Sequence, residues 1–160
     1  MNQIQQTQAN LEPCESQLLW FMSERMNDKR VVSMSIDDIM REFEIDSFVA
    51  QTLIDNVTNP MVVNFVEKIG DNQYQVTDLG MTELDWLKRF VPVLSKRKVN
   101  PRNAIRISVK LREWFKGVDP QSVSVEDAKF ITRLNSKKQW TDEEIEVALR
   151  IYQNNTKAGF

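Results

Sequence analysis

The residues best suited to bind a ligand are lysines and arginines, and they are concentrated in one stretch of the chain. Residues 88–116 contain ten lysines and arginines and one acid, Glu113. Several of them recur every four residues, a spacing that forms a stripe along a helix and can follow phosphates or an acidic partner. Such a stripe gives affinity for a polyanion that depends on salt and not on base sequence. The candidate contacts are Lys96, Arg97, Lys98, Arg102, Arg106, Lys110, Arg112 and Lys116.

The sequence lacks the residues that most catalytic and metal sites use. It contains no histidine, which excludes Ser-His-Asp and Cys-His pairs and histidine-ligated metals. Cys14 is the one cysteine, so an internal disulfide or a CxxC pair is impossible. Neither a GxxxxGK[ST] nor a GxGxxG phosphate-binding loop occurs among the four glycines. We therefore expect a binding protein and not an enzyme, with no catalytic residue, no metal and no cofactor.

The net charge of −2 conceals an uneven distribution. Residues 1–87 hold five cations and fifteen acids, a net of −10, whereas residues 88–160 hold sixteen cations and eight acids, a net of +8. Asymmetry of this kind indicates contact with nucleic acid or a membrane, or an acidic face that meets a basic one. The plainer interpretation is that two solvated faces pack against each other within one molecule.

The sequence shows no targeting segment. Residues 1–10 are polar and glutamine-rich, as in a flexible tail, and have no apolar core of a signal peptide. No run approaches the roughly 18 apolar residues of a membrane span. We expect a soluble, cytoplasmic chain without membrane contact, and a lone thiol suits a reducing compartment.

Hydrophobic spacing predicts three helices in the first part of the chain. Apolar residues at helical intervals indicate helices at about 13–26 and 36–43, and an alternating segment at 31–35 indicates a short strand between them. Asp46 or Ser47 caps a third helix, which Asn59-Pro60 ends. The buried positions predicted for this third helix are Val49, Leu53, Ile54 and Val57.

A β-hairpin and a fourth helix are predicted next. Residues 61–68 and 73–76 have strand composition, and Gly70-Asp71-Asn72 between them is typical of a turn. Thr77 caps the fourth helix, which we expect to stop at Val91 because a proline follows. The apolar face predicted for this helix comprises Leu79, Leu84, Trp86, Leu87 and Phe90.

This order of elements is that of the winged-helix arrangement. The passage Tyr74-Gln75-Val76-Thr77-Asp78-Leu79-Gly80, followed by Leu84, resembles the Y-x-L-T-x-x-G-x-x-x-L passage of MarR- and PadR-like regulators. In those regulators it leads from the wing strand to the C-terminal helix. Asp46-Ser47-Phe48-Val49, with Leu53 and Val57, is similar to the recognition helix of the same superfamily. The resemblance covers residues 11–90 and implies a winged helix-turn-helix that contacts DNA.

The predicted recognition helix departs from the MarR-like pattern, in which helix and wing carry arginines. Residues 47–58 contain no lysine or arginine, and nearby acids would repel phosphates. A glutamine can still make a bidentate contact with adenine. An exposed Phe48 would indicate a protein contact, and a buried one would belong to the core. The remaining candidate DNA contacts are Ser47, Gln51, Thr52 and, on the wing, Lys68.

Residues 91–160 are predicted to be helical after a basic linker at 91–99. Asn100-Pro101 begins a helix that ends near Gly117, with Ala104, Ile107, Leu111, Trp114 and Phe115 on its apolar side. Ser124 with Asp127, and Thr141 with Glu144, are capping pairs for two further helices. The predicted C-terminal helical domain spans residues 100–154, followed by a tail at 155–160.

These observations predict a mainly α fold with a small β-hairpin wing, a winged helix-turn-helix followed by a C-terminal helical unit. The function they favour is duplex DNA binding, by a transcription regulator or a phage- or plasmid-type replication or partition factor, with affinity from residues 88–116. The alternative is a protein–protein adaptor whose acidic winged helix binds a basic partner without reading DNA sequence. An acidic protein is also a possible partner of the basic segment. Apolar stripes on the C-terminal helices, which a small unit buries poorly, together with the charge split, predict a homodimer.

Overall fold

The computed structural model describes residues 12–160, so the predicted tail at residues 1–10 lies outside the described range. These residues form seven α-helices and one three-stranded antiparallel sheet, which confirms the predicted mainly α fold with a small β element. Two compact units are present, one ending at Leu84 and the other beginning at Asp85. The division falls inside a helix, whereas the sequence predicted a first domain that ends at residue 90. Within the described part of the chain, no helix is both long and apolar enough to cross a bilayer.

The first unit contains three helices and all three strands, and a fourth helix begins in it. Strand β3 is central and pairs antiparallel with both neighbours, in the order β1-β3-β2. The hydrophobic core of this unit includes Leu18, Val32, Ile39, Leu53 and Tyr74. In chain order the elements are α1 (Glu15–Ser23), β1 (Val31–Ser33), α2 (Ile36–Phe43), α3 (Ser47–Thr58), β2 (Val66–Gly70), β3 (Gln73–Val76) and α4 (Asp78–Ser95).

Side-chain caps set where α2 and α3 begin. The Ser35 hydroxyl accepts a hydrogen bond from the Asp38 amide, and the Asp38 carboxylate accepts one from the Ser35 amide at 2.9 Å. The hydrogen bond from the Ser35 backbone lowers the pKa of Asp38, and the charge of Arg25 lowers it further. Of the two caps considered for α3, Asp46 is the one used: its carboxylate accepts from the Val49 amide at 2.9 Å.

The strand predicted at residues 61–68 is wrong over its first five residues, because β2 begins only at Val66. The side-chain oxygen of Asn59 accepts a hydrogen bond from the Met61 amide, and the backbone carbonyl of Asn59 accepts one from the Val62 amide. These local hydrogen bonds hold residues 60–63 in a turn. Asn64 then adopts a left-handed conformation with φ of 47°. The side chain of Met61 is consequently 91% exposed.

Three smaller expectations for the first unit also need correction. Helix α1 is shorter than predicted, because residues 24–25 form a turn. On α3, Ala50 is buried in place of Val49, which is half-buried. On α4, Leu79 is 57% exposed and does not belong to the apolar face.

A close contact joins the start of α4 to the start of β2. The Thr77 amide donates to the Phe65 carbonyl at 3.0 Å, and its hydroxyl donates to the Asn64 carbonyl at 2.6 Å. The same hydroxyl accepts from the Gly80 amide at 3.1 Å. These bonds bring the first turn of α4 onto the Phe65 backbone, where only a residue without a Cβ fits: a Cβ on Gly80 would lie 2.2 Å from the Phe65 oxygen.

The second unit is helical and contains the second half of α4. Its core is aromatic, with the rings of Trp86 and Trp140 4.7 Å apart and those of Phe115 and Trp140 5.4 Å apart. The Trp140 indole donates to the Leu134 carbonyl at 3.1 Å. The further elements are α5 (Pro101–Gly117), a 3₁₀ turn (Pro120–Ser122), α6 (Val125–Asn135) and α7 (Asp142–Thr156).

The expectation that the fourth helix stops at Val91 is wrong, since α4 continues through Pro92 to Ser95. A proline in a helix interior costs about 3 kcal/mol or more. The neighbouring Val91, Val93 and Leu94 are buried, and burial of one such side chain contributes about 1.5–3 kcal/mol. The core contacts therefore outweigh the proline, and half of the predicted linker at 91–99 is helical. Helix α7 likewise extends into the tail predicted at 155–160.

Candidate nucleic-acid interface

Helix α5 positions the central cations of the predicted stripe. The Asn100 side chain accepts from the Asn103 amide at 2.8 Å, and Pro101 fits the first helical position, so the helix begins where predicted. Lys110 is exposed, as is Arg102, while Arg106 is half-buried. The buried face differs from the predicted one, because Ile105 and Ser108 are buried whereas Ile107 and Trp114 are only half-buried. It comprises Ala104, Ile105, Ser108, Leu111 and Phe115.

Arg112 does not lie on the stripe, contrary to expectation. Its guanidinium carbon sits 4.8 Å from the centre of the Trp86 ring, and its Nε donates to the Ser108 carbonyl at 3.4 Å. At 100° per residue, Arg112 lies about 200° around the helix from Lys110. This places it at the edge of the buried face, where a cation over an indole stabilises packing by about 0.5–2 kcal/mol.

The Arg97 side chain also makes hydrogen bonds within the second unit. Its guanidinium donates to the Glu146 carboxylate at 2.5 Å and to the Gln153 side chain at 3.2 Å, both on α7. The neighbouring Lys96 and Lys98 are exposed, as is Lys116 at the end of α5. All three cations at residues 96–98 are therefore exposed, but the guanidinium of Arg97 is held by α7.

The second unit has more exposed cations than the stripe alone. Residues 85–160 carry sixteen cations and nine acids, a net charge of +7. All sixteen cations except Arg106 and Arg112 are exposed. The predicted site was confined to residues 88–116 and so left out those that follow, although the even spread of lysine and arginine over 129–157 was a visible signal. The exposed cations that follow residue 116 are Lys129, Arg133, Lys137, Lys138, Arg150 and Lys157, and Lys88 and Arg89, which precede the candidate contacts, are exposed as well.

Two of these cations pair with the same carboxylate, because a guanidinium nitrogen of Arg133 also lies 3.8 Å from Glu144. Lys137 donates to both carboxylate oxygens of Glu144, at 2.7 and 2.9 Å, and the Thr141 amide donates to the same carboxylate at 2.9 Å. The hydrogen bond from Lys137, followed by the one from Thr141, lowers the pKa of Glu144. This cluster holds the start of α7.

The predicted base-reading residues on α3 are exposed, but they are engaged within the helix. The Gln51 amide donates to the Asp55 carboxylate at 2.8 Å, and the Thr52 hydroxyl donates to the Phe48 carbonyl at 2.9 Å. Ser47 is also exposed in the first turn, and Lys68 is exposed on β2. A base contact by Gln51 would therefore require its hydrogen bond to Asp55 to break.

The charge around α3 is unfavourable for DNA. Residues 35–58, which form α2 and α3 with their caps, contain six acids and one cation, Arg41. Burial raises the pKa of the Tyr74 phenol, and the charge of Asp55 raises it further. Phosphates approaching α3 would meet a net charge of about −5, which Coulomb's law makes repulsive.

Among residues 12–160, no three histidine, cysteine or acidic side chains are arranged to hold a metal ion. In comparisons with known proteins, the chain matches no protein-family model, no curated protein and no solved structure.

Proposed function

We propose that this protein is a winged-helix protein that binds duplex DNA through its basic second unit. The observation that carries the proposal is the charge of that unit, a net +7 with fourteen of its sixteen cations exposed. Lysine and arginine side chains that neutralise phosphates release condensed counterions, and this release supplies most of the affinity in sequence-independent DNA binding.

The winged-helix assignment of the first unit is supported by its topology. A helix, a strand, two helices, a hairpin and a further helix follow one another, and the first strand pairs with the second hairpin strand. The resemblance to MarR- and PadR-like regulators supports it as well. The Thr77–Gly80 junction gives a physical reason for the T-x-x-G part of that resemblance, because the hydroxyl and the missing Cβ are both needed there.

The recognition helix has a different task in this proposal from the one it has in MarR-like regulators. Its Gln51 is bonded to Asp55, and its surroundings are acidic, so α3 does not read base edges. Binding by exposed lysines positions a protein on DNA but discriminates little between sequences. It therefore suits a phage- or plasmid-type replication or partition factor better than a sequence-specific transcription regulator.

The test is a titration of a short labelled duplex, followed by fluorescence anisotropy, with two variants of the full chain. Replacing Lys96, Lys98, Lys110 and Lys116 together by glutamine is expected to raise the Kd by about tenfold or more, because up to four lysine–phosphate pairs can no longer form. Replacing Gln51 and Thr52 by alanine is expected to leave the Kd unchanged. Weaker binding by the α3 variant with unchanged binding by the lysine variant would overturn the proposal.

A further inference from the structure

A series of contacting aromatic rings leads from the core of the second unit to its surface. Phe115, in the core, contacts Trp114 with ring centres 5.7 Å apart. Trp114 meets Tyr152 edge-on at 5.7 Å, and Tyr152 stacks on Phe160 with ring centres 6.5 Å apart and planes 25° apart. Phe115 is buried, whereas the last three rings are half-buried. We name Trp114, Tyr152 and Phe160 the aromatic end.

The backbone after α7 positions the outermost ring, Phe160. Lys157 adopts a left-handed conformation with φ of 57°, and its amide donates to the Gln153 carbonyl at 2.9 Å, so the chain turns back at the end of the helix. This turn brings the Phe160 ring onto Tyr152, and no other ring in the described part of the chain contacts Phe160. The stack therefore ends in a partly exposed ring, on which a further planar group can be placed.

Two exposed lysines border the aromatic end on its own helices. Lys110 precedes Trp114 by four residues, which places the two side chains about one turn apart on α5 and about 40° apart around it. Lys157 follows the last residue of α7 and stands three residues before Phe160. The cationic stripe of α5 thus leads to the rings.

The segment at residues 96–98 brings further positive charge to the same end of the unit. The Arg97 guanidinium donates to the Gln153 side chain at 3.2 Å, and Gln153 is the residue after Tyr152. Lys96 and Lys98, on either side of Arg97, are exposed. An anionic ligand is therefore attracted to this end of the second unit.

Aromatic rings bordered by cations are typical of proteins that bind single-stranded nucleic acid. The cations follow the phosphate backbone, and successive bases stack on the rings. Burial raises the pKa of the Tyr152 phenol, and the charge of Glu113 raises it further, so the phenol is uncharged near neutral pH. In a duplex each base is already covered by its neighbours in the stack, whereas an open strand offers its bases to the rings.

We propose that the aromatic end binds single-stranded DNA, with a base stacked on Phe160 and the neighbouring phosphates close to the bordering lysines. Stacking requires no particular base, so the contact tolerates many sequences. The proposal rests on the proposed DNA-binding function, since the same basic unit supplies the cations. It adds that an open strand binds more tightly than a duplex of the same length.

The first test compares a labelled oligothymidylate of about 15 nucleotides with a duplex of the same length, by fluorescence anisotropy with the full chain. The wild-type chain is expected to bind the single strand about fivefold more tightly or better. Replacing Tyr152 and Phe160 together by leucine is expected to raise the Kd for the single strand by about tenfold or more and to leave that for the duplex unchanged, because only stacking is lost.

The outcomes separate this proposal from the proposed function. Duplex binding without a preference for the single strand, or a single-strand Kd that the two leucines leave unchanged, would overturn this proposal alone. Failure of the wild-type chain to bind either form would overturn both. Replacing Lys96, Lys98, Lys110 and Lys116 by glutamine is expected to weaken binding of both forms, because both carry phosphates.

Two variants serve as matched controls. Phe130→Leu removes a half-buried ring from α6, outside the aromatic end, and Tyr152→Phe keeps the ring that the leucine variant removes. Both are expected to bind the single strand like the wild-type chain. If Phe130→Leu weakened single-strand binding as much as the double leucine variant, loss of the named rings would not be the cause, and the proposal would be overturned.

The second test uses the wild-type chain and does not depend on how the variants fold. An oligonucleotide that carries 5-bromodeoxyuridine is irradiated in complex with the protein, and mass spectrometry locates the cross-linked residues. Cross-links are expected at Trp114, Tyr152 or Phe160, because stacked aromatic rings lie against the base. A bound strand that forms no cross-link to any of these three residues would overturn the proposal.

Discussion

Gly80 packs against the backbone of Phe65 so closely that a Cβ at position 80 would lie 2.2 Å from the Phe65 carbonyl oxygen. It would also lie 2.7 Å from Cγ1 of Val76. The close approach exists because Thr77 bonds to the Asn64 and Phe65 carbonyls on one side and to the Gly80 amide on the other. The start of the fourth helix is thereby fixed against the hairpin.

Gly80→Ala is therefore expected to destabilise the first unit by about 2–3 kcal/mol, since backbone and core must move to admit the methyl group. Gly117→Ala is the matched control. Gly117 also lies in a helix, but nothing is within 4 Å of a Cβ there, so the substitution is expected to stabilise by up to about 1 kcal/mol. Urea denaturation followed by circular dichroism measures both. Equal effects of the two substitutions would contradict the close approach at Gly80.

Pro92→Ala is expected to stabilise the protein by about 1–3 kcal/mol. Pro92 lies inside α4 with its side chain exposed, so alanine restores a backbone donor and removes a ring without opening a cavity. Thermal unfolding of the variant measures the effect. A lower Tm would mean that the proline ring makes a stabilising contact, contrary to its exposed position.

Glu144 is expected to make stability depend on pH in acid. Its pKa is lowered in the folded chain by Lys137 and Thr141, so it stabilises the fold above its unfolded pKa, and this contribution disappears as the pH falls through the folded pKa. Glu144→Gln should cost about 1 kcal/mol at pH 7, as removal of a cap and an ion pair does, and progressively less as the pH falls below the ordinary pKa of a glutamate.

The control for this prediction is Glu143→Gln, at the neighbouring exposed position on α7. This substitution should change the free energy of unfolding little at pH 7. Its difference from wild type should not shrink as the pH falls in the way expected for Glu144→Gln. Unfolding by urea at a series of pH values provides the comparison. A difference between Glu144→Gln and wild type that stays constant as the pH falls to about 3 would contradict the role assigned to Glu144.

Local sequence signals predicted much of the fold. Ser124 caps α6 through the Asp127 amide, the Thr141–Glu144 pair forms a capping box, and β3 has the predicted bounds. These features depend on residues a few positions apart, which a sequence displays directly. The turn at residues 61–63 was missed because a single side chain, Asn59, competes with the strand pattern of Met61 and Val62.

Features that depend on distant residues were not predictable in the same way. Helix α4 passes Pro92 because its neighbours are buried, and burial is decided by the packing of the whole unit. Arg112 does not lie on the cationic stripe, because its guanidinium packs over the ring of Trp86 on the preceding helix. The sequence therefore did not show which cations of the candidate site lie against the core of the second unit.

The salt dependence of duplex DNA binding is the decisive measurement for the proposed function. If exposed lysines of the second unit neutralise phosphates, log Kd rises linearly with log salt concentration. Replacing Lys96, Lys98, Lys110 and Lys116 by glutamine should then reduce that slope by about 0.9 for each phosphate that is no longer neutralised, whatever the base sequence. A wild-type slope near zero, or a slope that the four substitutions leave unchanged, would contradict DNA binding by these lysines.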